Sequence, residues 1–535
     1  MSFFQRIISY GSMIAILLLT TVVPASASTN TYNAKFVTSM TYMNVGTRAA
    51  NLSIKFIDES GTIINYPIMN SDGSARTLAP NASASLGVSV LRLSTTSWNS
   101  GAVISANQPL ATTMVQVSSS PVIRVRPVSN GFSASDAHTT ISLPYVAKTC
   151  TSSSLTTRFN VQNIGPSADD ITVNLFWPNG DTAFSQTFSS IAAGQIVAID
   201  MGTTSVSNPT TSGYVIPSGC AFEGSARIST TGTSKVVATA FETSTTGRSA
   251  ATYESLVSPG SNRIFMPSVL CNVNYGDGAQ SSSIIVHNTG ASVARITYTY
   301  SYQIRAANGT LGAVTNKQVA LPARSVRPNA TLTINACTDI PSGAVGSAVV
   351  TTFNSALSVT ALSRVTGTGV SALAPGIPLS YAAASVAAPY VRYSTRCFTA
   401  SPKTAVCRNE SRQRTLFSVQ NTSTNTDIRV RMTLYNHLGV IVGTRFVSGV
   451  IKPGAKVSLS PINIAAINNT ATTNVNNEFG YWVVGGNLVY GGSASFESFN
   501  ATTNAVSTIP IAVTVRVLNS TVVGQTAEDY NAIPR

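Results

Sequence analysis

A proline set inside an apolar tripeptide recurs along the chain at a nearly constant interval. It occurs as Leu143-Pro144-Tyr145-Val146, Met266-Pro267-Ser268-Val269, Ala388-Pro389-Tyr390-Val391 and Ile509-Pro510-Ile511. The prolines lie 123, 122 and 121 residues apart (267−144, 389−267 and 510−389). Because little else is identical between these stretches, the period predicts tandem repeats of one domain, and a chain of 535 residues accommodates four of them.

Each period contains a strand that ends in an Asn-centred turn, followed by a strand with cleanly alternating apolar and polar residues. In the fourth period Ile428, Val430 and Met432 alternate with Arg429 and Arg431. Period-two alternation is typical of antiparallel strands with one buried face, and turn signals follow about every 8–12 residues. The pattern predicts an all-β fold of four tandem immunoglobulin-like antiparallel β-sandwich domains in a linear array. The turn asparagines are Asn44, Asn163, Asn288 and Asn421.

The N-terminus has the features of an export signal. Arg6 is the only charged residue before the apolar stretch 13–19, and Ala25-Ser26-Ala27 forms a small-x-small cleavage site. We therefore expect residues 1–27 to be a signal peptide and the protein to be secreted, extracellular or at the cell surface. No later stretch is apolar enough for a transmembrane segment of the mature chain.

The junction prolines set the predicted domain boundaries. The predicted units are repeat 1 (residues 28–143), repeat 2 (144–266), repeat 3 (267–388), repeat 4 (389–509) and a C-terminal strand or tail (510–535).

The six cysteines predict disulfides in an exported chain, and the repeats select one pairing. Cys150 and Cys220 occupy the same places in repeat 2 as Cys271 and Cys337 in repeat 3. Repeat 4 holds Cys397 and Cys407, ten residues apart, which indicates a local clip, and repeat 1 has no cysteine. Free thiols or a metal site are the alternative.

The search for catalytic or cofactor chemistry is mostly negative. Only three histidines occur, and no nucleophile elbow, His-Glu-x-x-His helix or phosphate-binding loop is present. We therefore predict a protein that is not an enzyme and has no cofactor. One loop has mild calcium character, with oxygen-bearing Asn272, Asn274 and Asp277 among glycines, against the alternative of an ordinary polar loop.

The net charge of +14 is spread along the chain rather than gathered in Lys/Arg clusters. A dispersed basic excess allows attraction to anionic cell-envelope polymers but predicts no specific nucleic-acid binding. The expected partners are cell-envelope polymers or other surface proteins.

Three segments carry a resemblance to a known family. They are 159–165 (Phe-Asn-Val-Gln-Asn-Ile-Gly), 417–421 (Phe-Ser-Val-Gln-Asn) and 451–454 (Ile-Lys-Pro-Gly). This pattern resembles bacterial tandem Ig-like surface domains, in particular the cell-adhesion-related (CARDB-like) group. The resemblance implies an adhesin, a surface-layer component or a spacer, and it transfers no functional residue.

The two ends of the chain suggest a further hypothesis. Repeat 1 begins without a junction proline, whereas the tail (510–535) carries an alternating strand with no domain after it. The tail of one molecule could complete repeat 1 of the next in a head-to-tail assembly. In the alternative, the tail folds back onto repeat 4 as its last strand.

Taken together, these features predict a secreted, non-enzymatic structural protein of the cell surface, such as a surface-layer, filament or spacer component. The rival function is an adhesin or carbohydrate-binding module, in which exposed aromatic rings stack on sugars. The candidate aromatic residues are Trp98, Trp177, Trp482 and Tyr435.

Overall fold

The structure is a computed structural model. It describes residues 36–67, 77–88, 98–118, 125–150, 155–211, 214, 220–244, 250–258, 260–274, 278–306, 310–353, 359–367, 370–392, 412–464, 481–484, 487–521 and 524–535. The predicted signal peptide lies outside these residues. Within them the fold is all-β, as predicted, with short 3-10 helices at Ala336–Thr338 and Pro461–Asn463. None of the helices in this part of the chain has the length and apolar character of a membrane span.

The strands fall into four groups along the chain, and all pairings within them are antiparallel. Group 1 has one sheet in the order β5-β1-β7-β8 and a second in the order β3-β2-β4, with β6 also pairing with β2. Its strands are β1 (Phe36–Asn44), β2 (Ala50–Asp58), β3 (Ile63–Pro67), β4 (Thr77–Leu78), β5 (Ser83–Gly87), β6 (Ser100–Ala106), β7 (Leu110–Ser118) and β8 (Val128–Asn130).

Group 2 is one sheet in the order β12-β11-β14-β9-β10-β15-β16, with β13 on β10 and β17 on β9. A single residue pair, Leu155 with Cys150, joins β10 to β9. The strands are β9 (Thr140–Cys150), β10 (Leu155–Asn163), β11 (Asp169–Phe176), β12 (Thr182–Ile191), β13 (Ile196–Asp200), β14 (Cys220–Thr230), β15 (Val236–Ser244), β16 (Ala250–Glu254) and β17 (Leu256–Val257).

Group 3 has sheets in the orders β22-β21-β24-β18-β27 and β19-β20-β25-β26, with β23 on β20. The strands are β18 (Arg263–Cys271), β19 (Val273–Asn274), β20 (Ala279–Asn288), β21 (Ala294–Ile304), β22 (Thr315–Val326), β23 (Thr331–Asn335), β24 (Ala344–Thr352), β25 (Val359–Gly367), β26 (Val370–Pro375) and β27 (Ile377–Pro378).

Group 4 repeats this arrangement, with sheets in the orders β31-β30-β34-β28-β37 and β32-β29-β35-β36, and β33 on β34. The strands are β28 (Ser385–Arg392), β29 (Arg412–Asn421), β30 (Ile428–Tyr435), β31 (Phe446–Val447), β32 (Lys456–Leu459), β33 (Tyr481–Val484), β34 (Asn487–Asn500), β35 (Ile511–Thr521), β36 (Gly524–Asn531) and β37 (Ile533–Pro534).

The Asn-centred turns have the same geometry in all four groups. In group 2 the fully buried Asn163 donates from Nδ2 to the carbonyl oxygens of Ser167 (2.9 Å) and Ile191 (2.8 Å) and accepts from the Gly165 amide (2.9 Å). Asn44, Asn288 and Asn421 make the equivalent three bonds. A buried amide that satisfies three backbone groups fixes the turn, because each of those groups would otherwise lose its hydrogen bond in the interior.

Successive groups are joined by apolar contacts that bury side chains from both partners. Phe36 of group 1 packs edge-on against Phe241 of group 2, with ring centroids 4.8 Å apart. Leu362 and Leu373 of group 3 extend the core of group 2. Between groups 3 and 4, one cluster contains Leu270, Val345, Val365, Leu518 and Ala527.

Group 4 also contacts group 1, so the four groups form a closed ring. Met43 and Ala111 of group 1 share a buried cluster with Ala387 and Tyr435 of group 4. The predicted linear array is therefore wrong. Similar head-to-tail contacts between like units can form a closed ring, and here the contacts return to the first group after four.

One polar contact recurs at three of the four junctions, and group 1 has Gly101-Ala102 in place of the Gly-Ser-Ala segment that supplies it. The serine of a Gly-Ser-Ala segment donates to the carbonyl of a tight turn in the following group, and the last such bond runs from group 4 back to group 1. The bonds are Ser225 Oγ to Asn329 O (3.4 Å), Ser347 Oγ to Gly454 O (2.9 Å) and Ser493 Oγ to Asn81 O (3.3 Å).

The C-terminal tail is part of group 4. β35 and β36 complete the sheet of β29, and β37 pairs with β28. This is the alternative in which the tail folds back, and the premise of a spare strand is wrong. Pro144, Pro267 and Pro389 lie inside the first strand of their groups, whereas Pro510 precedes the later strand β35.

Candidate functional site

The last long strand of each group faces the centre of the ring. Strands β8, β16, β26 and β36 contact one another in cyclic order. Their final residues meet there, and we call these four residues the axial cluster. The members are Asn130, Glu254, Pro375 and Asn531.

Hydrogen bonds connect the axial cluster across all four groups. The backbone N–H of Asn130 donates to Glu254 Oε1 (3.2 Å), and its Nδ2 donates to the carbonyl of Asn531 (2.8 Å). Asn531 Nδ2 in turn donates to the carbonyl of Pro375 (2.7 Å). The cluster therefore ties the first, second, third and fourth groups together through one continuous network.

Glu254 is the electrostatically unusual member of the axial cluster. Its side chain is buried, and Glu254 Oε2 and Asn130 Oδ1 have no hydrogen-bond partner among the described residues. Burial raises the pKa of Glu254 to about 7; bonds from Asn130 oppose the rise and the charge of Asp136 adds to it. This carboxyl group therefore takes up a proton near neutral pH, far above the ordinary range of a glutamate.

A cavity of ≈ 300 Å³ lies beside the axial cluster, between groups 2 and 3. Its apolar wall includes Leu256, Val257 and Ile264, and its polar groups include the imidazole of His138 and the hydroxyl of Tyr381. Burial, together with the charge of Asp136, raises the pKa of Tyr381 to about 12. The phenol is therefore neutral, and the residues that line the cavity are mostly apolar with a few polar ones among them.

A buried ion pair links groups 2 and 3 near this cavity. Arg364 Nη2 donates to both carboxylate oxygens of Glu242, at 2.8 and 2.7 Å, and the Glu242 side chain is fully buried. The guanidinium also lies 4.1 Å from the ring centroid of Tyr145. Burial raises the pKa of Glu242, and the charge of Arg364 opposes that rise.

A buried histidine occupies the same junction. His287 precedes the turn residue Asn288, where groups 2 and 4 have Gln162 and Gln420. Burial lowers the pKa of His287 to about 3; the positive charge of Arg227 adds to the shift, and the backbone of Asn329 opposes it. The imidazole is therefore neutral in the folded protein.

The predicted disulfides are described to different extents. Cys271 and Cys337 form a disulfide with a Cα–Cα distance of 5.0 Å. Cys150 and Cys220 lie opposite each other in the register of β9 and β14, and their side chains are outside the described residues. Cys397 and Cys407 also lie outside them.

Two of the three calcium candidates are described, and the oxygen of each side chain accepts a hydrogen bond within the same loop region. Asn272 Oδ1 accepts from the Ser281 hydroxyl (3.0 Å), and Asn274 Oδ1 accepts from the Gly278 amide (3.3 Å). Asp277 lies outside the described residues. Across the described ranges, no cluster of three or more His, Cys, Asp or Glu residues suits a metal ion.

Two of the four candidate sugar-stacking residues are buried. Trp177 lies in the core of group 2 and donates from Nε1 to the Ser207 carbonyl (2.9 Å). Tyr435 is buried at the junction of groups 4 and 1. Trp98 is half-buried beside Phe56, and the side chain of Trp482 lies outside the described residues.

The axial cluster and the Arg364–Glu242 pair were not predicted from the sequence. Both join residues of different groups, at sequence separations of 124 and 122. The sequence contained one indication of the axial cluster. Pro375 and Asn531 are each followed at the same distance by an Ile-Pro pair, Ile377-Pro378 and Ile533-Pro534. That match identifies the last strand of the repeat but does not show that four such strands meet.

Comparisons with known proteins add no identification. No family model and no curated protein matches this chain. Among solved structures, dimeric latent PorU from Porphyromonas gingivalis aligns with 9% identity and a TM-score of 0.11. That alignment covers 79% of this chain and 32% of the PorU chain, so this chain spans about a third of that protein.

Proposed function

We propose that the protein is an exported, non-enzymatic structural component of the cell surface, built from four immunoglobulin-like β-sandwich domains. The observation that carries the proposal is the repeated junction contact, in which Ser225, Ser347 and Ser493 each bond to a turn of the next group. Because the contact returns from group 4 to group 1, one chain forms a closed body with few independently moving parts. Such a body suits a building block or a rigid platform.

The composition agrees with an extracellular setting. Only 10% of the residues are charged, and exposed strand positions often carry Ser or Thr, as in β12. The Cys271–Cys337 disulfide is of the kind that persists in oxidising compartments. The partners of such a component are anionic cell-envelope polymers or other surface proteins.

Cell fractionation and electron microscopy test this function. We expect the native protein in the envelope or extracellular fraction, and negative-stain images of the purified protein should show compact four-lobed rings. Regular assembly of those rings on isolated envelopes supports the structural role. A cytoplasmic location, or extended rods of four lobes, contradicts it.

The alternative function is an adhesin or carbohydrate-binding module. The observation that favours it is the position of Trp98, a half-buried ring just before β6 whose centroid lies 5.9 Å from that of Phe56. Aromatic rings with one accessible face stack on sugars. Saturable binding to a defined glycan on an array, lost in Trp98→Ala but kept in Trp177→Phe, would favour this function over the structural one.

A further inference from the structure

Groups 2, 3 and 4 each begin with a strand that pairs with a strand of its own group and also packs against the next group. Strands β9, β18 and β28 pair with β14, β24 and β34 of their own group. Each also packs on two strands of the next group, β28 for example on β1 and β7 of group 1. The residue before the junction proline has the same partner in each case. These pairs are Leu143 with Ala226, Met266 with Ala348 and Ala388 with Ala494.

Among the described residues, the equivalent place in group 1 is a strand edge without a partner strand. Ala102 of β6 faces Phe56, as Ala226 faces Leu175 and Ala348 faces Tyr300. Strand β6 pairs with β2 on one edge, and the described residues place no strand on the other.

The burial of β6 fits an uncovered edge. All of its residues are half-buried or exposed, whereas β24 is buried at all but one position. The neighbouring core of group 1 is also thinly covered, because Leu52, Trp98 and Ile104 are only partly buried. An uncovered edge of this kind is a template for strand addition.

The number of residues between the junction proline and the turn asparagine indicates which segment of the same chain would occupy the edge of β6 before cleavage. In the other groups the junction proline precedes the turn asparagine by 19, 21 and 32 residues (163−144, 288−267 and 421−389). In group 1 the shorter spacings point to Pro24, which lies 20 residues before Asn44 in the stretch Val22-Val23-Pro24-Ala25. Cleavage after Ala27 removes this stretch.

The residues left after cleavage are too few to replace it. Only residues 28–35 would precede β1, and β9 and β10 are themselves separated in the sequence by four residues, 151–154. The equivalent strands are eight to eleven residues long.

We propose that the free edge of β6 binds, in trans, an extended apolar segment of another protein, about eight residues long with a central proline. The segment would pair antiparallel with β6 through backbone hydrogen bonds, while apolar side chains on either side of its proline fill the uncovered core of group 1. The donor is a different protein because the three segments of this type in the chain are already paired in their own groups. The inference rests on the proposed export and on cleavage after Ala27.

The test uses the exported chain, whose N-terminus is first read by intact mass, and a fluorescein-labelled peptide with the sequence of residues 385–392, Ser-Val-Ala-Ala-Pro-Tyr-Val-Arg. We expect saturable binding by fluorescence anisotropy. A peptide of the same composition in permuted order should bind at least tenfold more weakly, because it lacks the apolar residues on both sides of the proline.

A mixed disulfide between the peptide and the chain tests the register, that is, which residue of the peptide lies opposite which residue of β6. A peptide carrying Ala388→Cys should couple to the Ala102→Cys chain at least tenfold faster than to the Val103→Cys chain, whose side chain points to the other face of the strand. A chain in which this peptide sequence replaces residues 20–27 behind an initiating methionine should unfold at a higher temperature and no longer bind the free peptide. Circular dichroism checks that each variant is folded.

A failure of strand binding and a failure of the proposed cleavage give different results. An N-terminus at Ser28 without peptide binding overturns the strand-acceptor proposal and leaves the proposed function intact. An N-terminus before residue 20 shows that the chain keeps its own segment, which overturns both the cleavage and the proposal. Self-association of the exported chain that the peptide abolishes would identify a second copy as the donor and overturn the choice of a different protein.

Discussion

Arg364 and Glu242 lie 122 residues apart in the sequence and form an ion pair across the junction of groups 2 and 3, in which the single nitrogen Nη2 donates to both carboxylate oxygens. The pair is enclosed by the ring of Tyr145 on one side and by the two sheets around it. A buried charge is costly without its partner, and a charge-assisted hydrogen bond to each oxygen satisfies the buried carboxylate. The pair therefore specifies which faces of groups 2 and 3 meet.

Replacing one partner of this pair should destabilise the protein strongly. Arg364→Leu leaves the Glu242 carboxylate buried without its guanidinium, and we expect a loss of about 3–5 kcal/mol in the free energy of unfolding. Adding Glu242→Leu should recover much of that loss. Chemical denaturation of the two single variants and the double variant measures the coupling. Arg431→Leu is the matched control, because the Arg431–Glu497 pair lies within group 4 and is partly exposed, so its loss should cost less than about 1 kcal/mol.

The axial glutamate should make stability depend on pH. Glu254 has a pKa of about 7 in the folded chain against 4.5 as its ordinary value. The folded state thus holds a proton that the unfolded state has lost, and the free energy of unfolding should fall by about 3 kcal/mol as the pH rises from 4.5 to 7. Glu254→Gln should remove this decline, measured by urea denaturation at pH 5 and pH 8. Asp427→Asn, at an exposed ion pair, should leave the decline unchanged.

His287 should contribute a pH dependence of the opposite sign. Its folded pKa is about 3, below the ordinary value of 6.5, so the unfolded state binds a proton that the folded state excludes. The free energy of unfolding should therefore fall by about 2 kcal/mol as the pH drops from 6.5 to 5. In His287→Gln this acid sensitivity should disappear.

The glutamine variant should also keep the junction intact. At the equivalent positions Gln162 and Gln420 donate from Nε2 to the carbonyls of Gly194 and Gly454, both at 2.9 Å. The amide introduced by His287→Gln is thus expected to donate to the Asn329 carbonyl, whereas His287→Ala should lower stability at every pH. A glutamine variant as unstable as the alanine variant at pH 8 would contradict this equivalence.

The turn asparagines should be among the most sensitive polar residues of the chain. Asn288→Ala removes two bonds donated to backbone carbonyls and one accepted from the Gly290 amide, all inside the fold. At about 1 kcal/mol for each bond, we expect a loss of about 3 kcal/mol in the free energy of unfolding. Asn425→Ala, at an exposed turn, should change it by less than about 0.5 kcal/mol, the usual size of a surface effect.

The disulfide between Cys271 and Cys337 should stabilise group 3 by restricting the unfolded chain. It closes a loop with a sequence separation of 66, which corresponds to about 4 kcal/mol in the chain-entropy treatment. The double variant Cys271→Ala, Cys337→Ala should therefore unfold at a lower temperature in calorimetry. It should also become insensitive to reductant at this site, whereas reductant should destabilise the parent chain.

The sequence by itself determined the local features of this protein. Alternation in stretches such as 428–434 identified strands, because the two faces of a strand meet different environments and the residue types record this. The asparagine turns were visible for a similar reason, since Asn163 bonds mainly to groups close to its own turn. The all-β fold and the Cys271–Cys337 pairing follow from such short-range or repeated patterns.

Only the tertiary structure decided how the groups sit together. The contacts that join the groups, such as Asn130 with Asn531 and Arg364 with Glu242, link residues more than 100 positions apart. The sequence left two placements of the tail open for the same reason, because Pro510 shares its tripeptide pattern with the true junctions but precedes a different strand. A local pattern reports the surroundings of a strand, whereas the choice of partner depends on shape and charge that come together only after folding.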